Sequence, residues 1–260
     1  MLSAPRRARG ASGAQAAILV LAFWWLATGL LLGLPRDPAG REAAAVVASL
    51  VGGSGLALAI LIRRDESPRA AWLGFLAGGT LWAWVQAALY GGWLVGPGAA
   101  VATGATGNAW PDALTVLRAT SWNEIASLGV LALTALLAAG APNRMPFWTV
   151  LLFWAAHQVA RLNVFFGVAN LDAGLLPAHL AFLKPFFGPA TNSPLLPVSV
   201  VAFLALTAWL YQRARHAGDG FRRRGRMALA VLAGLATLEL LLLGVPLPLG
   251  IWAVFLSRAG

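Results

Sequence analysis

The sequence predicts an all-α fold, a polytopic bundle of transmembrane helices, and three observations carry that prediction. Of the 260 residues, 59% are apolar and 11% charged, where an average soluble domain carries roughly 25% charged residues. The charges lie in short clusters between long apolar runs. Several runs reach the ~20 residues that a helix needs to cross a hydrocarbon core. The basic residues, eighteen arginines and one lysine, flank these runs. That points to a lipid bilayer as the partner and not to nucleic acid, whose binding face interleaves basic groups with stacking aromatics. With no cysteine in the chain, neither a disulfide framework nor a thiolate metal site is available.

Seven spans are predicted within a single membrane domain of residues 1–260. The first, Ala14–Leu34, follows Arg6, Arg7 and Arg9; its apolar part is too long for a signal-peptide core, so it reads as an uncleaved anchor. The second is Ala43–Ile62, the third Ala70–Val95, the fourth Trp122–Ala141 and the fifth Phe147–Val168. The sixth is Leu195–Tyr211, and the seventh runs from Met227 to Val245, broken by Pro246 and Pro248. Basic loops stay cytoplasmic. With the N-terminus inside, thirteen basic residues lie on the inner side and five on the outer, with Arg161 inside a span. The expectation is therefore a cytoplasmic N-terminus and a C-terminus on the opposite face of the membrane. No internal repeat with paired broken helices is visible, which counts against a secondary transporter.

Ionisable residues inside spans are costly and normally face a partner or a cavity. Gln86, Glu124, Arg161 and Glu239 stand at such positions. At 1.5 Å rise per residue, Gln86, Arg161 and Glu239 lie roughly 18–24 Å from the inner edge, and Glu124 reaches a similar level from the outer side. His157 sits one turn from Arg161 on the same face. These five form a candidate buried polar cluster in which Glu124, Glu239 or both neutralise Arg161. Simpler readings stand beside it. Ser121 and Glu124 have the spacing of a capping box, Arg161 can snorkel toward the interface, and His157 can be a hydrogen-bonded packing residue. No catalytic motif or metal-binding spacing is present, and His216 belongs to a solvated arginine-rich loop. Trp24, Trp25, Trp82, Trp84 and Trp154 fall inside spans, where packing against lipid or helices is the common case and a flat pigment the rarer one.

The outer loop, residues 169–194, sets a few polar residues among aromatics and prolines. Asn163 and Asn170 share a helical face, and Pro177 is suited to start a short interfacial helix, Pro177–Phe187, with His179 exposed and Lys184 on it. The segment from Ala160 through Arg161, Asn163, Phe165, Phe166 and Gly167 to Asn170, Leu176-Pro177, His179-Leu180, Leu183-Lys184 and Phe186-Phe187 resembles the PuhE family of photosynthetic complex assembly proteins of purple phototrophic bacteria. Phe23-Trp24-Trp25, Trp82-x-Trp84, Gly96-Pro97 and Pro246-Leu247-Pro248 agree with it. The resemblance implies an assembly factor for the photosynthetic reaction centre and antenna, embedded in a bacterial inner (cytoplasmic or intracytoplasmic) membrane with its C-terminus periplasmic, acting through bacteriochlorophyll supply or subunit docking. It makes reaction-centre or antenna subunits the expected partners and a pigment the candidate cofactor. Asn163, Asn170, Pro177, His179 and Lys184 are the corresponding docking or family-motif residues. The chain departs from the family pattern at Gln86 (a glutamate there), at Asn123 (a histidine) and at Leu240 (a histidine). A metal or pigment held by those family groups would have lost ligands here. A membrane enzyme or carrier acting on a tetrapyrrole, quinone or lipid is the alternative reading.

Overall fold

A computed structural model describes residues 6–35, 37–99, 104–171, 176, 178–218 and 220–245. Among these the chain is all-helical: α1 Arg6–Leu32, α2 Pro38–Leu61, α3 Pro68–Tyr90, α4 Ala109–Ala119, α5 Ser121–Ala138, α6 Met145–Phe166, a 3-10 helix Ala178–Phe186, α7 Leu195–Arg215 and α8 Gly220–Gly244. Five helices are long and apolar enough to cross a membrane: Gly13–Leu31, Ala39–Leu61, Ser121–Ala138, Leu195–Arg215 and Gly220–Gly244. α3 and α6, 23 and 22 residues long, have the length but carry the polar residues of the interior, among them Gln86, His157 and Arg161.

Local chemistry sets the helix starts. Asp37 and Ser67 accept from the backbone N–H groups of Gly40 and Ala70, each followed by a proline in the first turn, where a missing N–H costs nothing. Thr106 and Gly107 donate to the carboxylate of Asp112, tying the preceding loop to α4. Three features differ from the sequence expectation. α4 is an added helix, short and carrying Asp112 and Arg118, in a stretch with no long apolar run. α8 starts at Gly220, so Arg222, Arg223, Arg224 and Arg226 ride on its first turns instead of forming a loop. The outer segment forms a 3-10 helix with Pro185 inside it. Pro177, Pro246 and Pro248 lie outside the described residues.

Close approaches fix the helix directions. A Cβ at Gly78 would stand 2.5 Å from the carbonyl of Pro146, and one at Gly74 would meet the Met145 side chain; further along, Trp82 stacks on Phe153. α3 and α6 therefore run the same way, packed backbone to backbone through small residues. Trp72 packs with Ala16 and Gly79 faces Phe23 of α1, while Gly225 of α8 faces Met145 and Glu239 shares a cavity with His157, so α1 and α8 are parallel to them. α2 runs opposite to α3, with Gly52 on Trp84 and Gly55 on Thr80. α5 and α7 also run opposite: Asn123 reaches Val85, and Leu196 meets Gly244 while Ala214 clusters with Met227. α3 sits centrally, touching α1, α2, α5, α6 and α8. Leu50, Leu61, Trp25, Val201 and Leu136 cover the outside, an apolar surface far larger than a water-soluble monomer displays.

Candidate functional site

The sequence-predicted polar residues divide into two groups. In the first, Arg161 on α6 pairs with Glu124 on α5 through its Nη1. Arg161 Nη2 donates to Thr120 Oγ1 at 3.1 Å, and Gln158 Nε2 donates to the second Glu124 oxygen at 2.9 Å. Ser121 forms no capping box with Glu124: its hydroxyl donates to the Arg118 carbonyl, and the carboxylate turns to α6. In apolar surroundings a guanidinium partner outweighs a backbone N–H. Thr120 and Gln158 were absent from the sequence reading. Gln158 was legible as the residue three before Arg161 on the same face.

The second group opens onto a cavity of about 250 Å³ lined by α1, α3, α6 and α8. Gln86, Tyr90, His157 and Glu239 contribute its polar groups, and Phe23, Trp24, Trp82 and Phe153 its aromatic walls. Gln86 is 7% exposed. Its Nε2 and the Nε2 of His157 are buried without hydrogen-bond partners. His157 sits edge-on to Trp82, with ring centres 5.6 Å apart, so no hydrogen bond through Nε2 accounts for its position. Glu239 is exposed from the protein at the cavity and has no ion pair or hydrogen bond among the described residues. Arg161 is committed to Glu124, so the structure does not join Glu239 to that pair. Tyr90, absent from the sequence reading, reaches the cavity from the last position of α3.

The residues of the outer segment turn inward. Asn163 is fully buried, donating to Val159 O and Ser199 Oγ, both at 2.9 Å. Asn170 donates to Leu242 O at 2.7 Å and Asn192 to Gly244 O at 2.8 Å, closing the last carbonyls of α8, which lack helical partners. His179 is half-buried against Gly92, its Nε2 without a partner, which corrects the expectation that it is exposed. Lys184 is exposed. Gly167, at φ 118°, occupies a backbone region that favours glycine, and a Cβ there would stand 2.8 Å from the carbonyls of Pro189 and Thr191. The loop is thereby clamped on the end of α6.

Among the described residues no group of three or more His, Asp or Glu side chains is placed to hold a metal ion. The cavity also bears on the pigment expected from the sequence. A closed apolar cavity of about 150 Å³ holds benzene, so the about 250 Å³ here is room for one substituted ring, with the cavity open on one side.

No solved structure matches the chain. A Rhodobacter capsulatus protein, described as an uncharacterized 30.4 kDa protein in the puhA 5′ region, is 31% identical over 242 residues, covering 89% of this chain and 86% of the relative. A family model described as protein of unknown function (DUF3623) matches residues 11–259, and the chain belongs to that family.

Proposed function

We propose that the protein is an inner-membrane assembly factor that supports formation of the photosynthetic reaction centre and antenna, by pigment supply or by docking subunits during their insertion. The observation that carries this reading is the near full-length match to a protein located 5′ of puhA, which gives the chain a photosynthesis-related setting. The resemblance of its outer segment to the PuhE family supports the same reading. We further propose seven spans with the N-terminus cytoplasmic. This reading is supported by α3 packing against both α1 and α8, and α6 against α3 and α8, all running the same way, with α2, α5 and α7 as the returning helices.

The test is a mild-detergent pull-down of the tagged protein from phototrophically grown cells, with an absorption spectrum of the eluate. Near-infrared bands together with reaction-centre or antenna polypeptides are expected. A colourless protein that elutes alone would overturn the reading.

The partnerless polar groups of the cavity favour a second reading, a membrane enzyme or carrier for a small amphiphile. It predicts that Glu239→Ala abolishes function while the protein still accumulates in the membrane. Loss of the protein itself would make Glu239 structural.

A further inference from the structure

The cavity between α1, α3, α6 and α8 contains more unused hydrogen-bonding capacity than packing explains. Gln86 is nine-tenths buried with its amide nitrogen unpaired, and His157 Nε2 is buried beside the same space without a partner. Buried polar groups in native proteins are overwhelmingly paired, and at bilayer depth water is scarce. Two such orphans facing one cavity define a place for a ligand's acceptors. Glu239 adds a carboxyl group with no cation opposite it, since Arg161 is taken up by Glu124, Gln158 and Thr120.

Size, charge and polarity narrow the ligand. The volume of about 250 Å³ suits one substituted ring more closely than a macrocycle. A phosphate or carboxylate head would meet Glu239 with no basic side chain lining the cavity among the described residues. A sugar head would bring more hydroxyls than these walls can satisfy, because most of the lining is apolar and aromatic. What remains is a neutral ring with a few oxygen atoms at its edge and an apolar tail.

We infer that the cavity binds the head of a lipophilic quinone or its quinol. The ring lies against Trp82 and Phe153, its oxygens accept from Gln86 and His157, and a quinol hydroxyl donates to Glu239. Tyr90 supplies a further hydroxyl at the cavity. Binding alone is inferred, and it stands independently of the assembly reading.

The experiment uses the purified full-length protein in phosphatidylcholine nanodiscs, titrated with a decyl-tailed ubiquinone while tryptophan fluorescence is followed. Trp24 and Trp82 line the cavity, so occupancy quenches part of the emission. Saturable quenching is expected, about tenfold weaker in Gln86→Leu and in His157→Phe, as the loss of one hydrogen bond to the ligand predicts. It is unchanged in Trp209→Phe, whose ring lies beneath Arg213 on α7 away from the cavity. Quenching linear in quinone mole fraction for the wild-type protein would overturn the inference, because it reports partition into lipid only. That readout decides the matter even if a variant fails to accumulate. Saturation in the wild type with no weakening in either folded variant would also overturn it. So would a tetrapyrrole that saturates the site and displaces the quinone, which would break the size argument. Because the purified protein is used, these outcomes leave the pull-down result untouched, and a solitary protein in the pull-down leaves quinone binding untouched.

Discussion

Asn123 and Gln86 are near neighbours with the same functional group and opposite fates. The amide of Asn123 donates across the α5–α3 contact to the carbonyl of Val85 at 3.0 Å and is 2% exposed. Gln86, the next residue along α3, buries its amide nitrogen with no partner. The contrast repeats through the bundle. Asn143 donates to Ile62 O at the end of α2, Asn163 bridges to Ser199, and Asn170 and Asn192 close α8, while His157 and Glu239 face the cavity unpaired. Amides that hold helices together find backbone carbonyls or hydroxyls on a neighbour. Unpaired buried atoms also occur elsewhere, at Thr149 Oγ1, Trp154 Nε1 and Ser193 Oγ; what sets Gln86 and His157 apart is that both line one cavity.

The largest expected effect comes from breaking the paired side. Arg161→Ala leaves Glu124 without its counter-charge in a partly covered site, a loss that reaches about 3–5 kcal/mol when such a pair is buried. Membrane accumulation should drop sharply, and the double variant Arg161→Gln with Glu124→Gln should recover much of it. Equal loss in single and double variants would show that the pair's charge is not what matters. Next, Gly78→Leu forces α3 away from Pro146, and overpacking of this kind costs about 1–3 kcal/mol; a lowered thermal midpoint in detergent is the readout. Asn163→Ala removes a buried bridge between α6 and α7, and interhelical hydrogen bonds in membranes average about 0.6 kcal/mol with a maximum near 1.7. On the open side, Gln86→Leu should leave the midpoint unchanged or slightly raised, since it removes an unpaired donor. A fall comparable to that of Asn163→Ala would erase the distinction between the two groups.

The smallest effect concerns pH. The Thr106 N–H holds the Asp112 carboxyl below its ordinary value of 3.8, helped by the Thr106 hydroxyl and the Gly107 N–H. A depressed carboxyl contributes stability above its unfolded value, and that stability is lost as pH falls through the folded value. The protection factors of the Thr106 and Gly107 amides, corrected for the intrinsic exchange rate, should therefore fall below about pH 4, an effect absent in Asp112→Asn.

The sequence carries the helices well and the site unevenly. Long apolar runs make α1, α2, α5, α7 and α8 legible, and depth alone brings Glu124 and Arg161 to one level. α4 was not legible because its apolar residues follow no long run. The start of α8 was hidden because arginines mark both loops and helix ends that snorkel. Which polar residues stay unpaired is a matter of azimuth around each helix and of which neighbour stands opposite. That is why Gln86 and Asn123 look alike in the sequence, and why the inward turn of Asn163 and His179 had to come from packing.

The Arg161–Glu124 pair also has a timetable. The two residues are 37 positions apart, and at about 5–20 residues per second of synthesis the arginine follows the glutamate by roughly 2–7 seconds. Through that interval α5 carries an acidic group that lipid penalises when alone. On the seven-span reading proposed above, α6 relieves that penalty when it arrives, and the two helices then make one neutral hairpin.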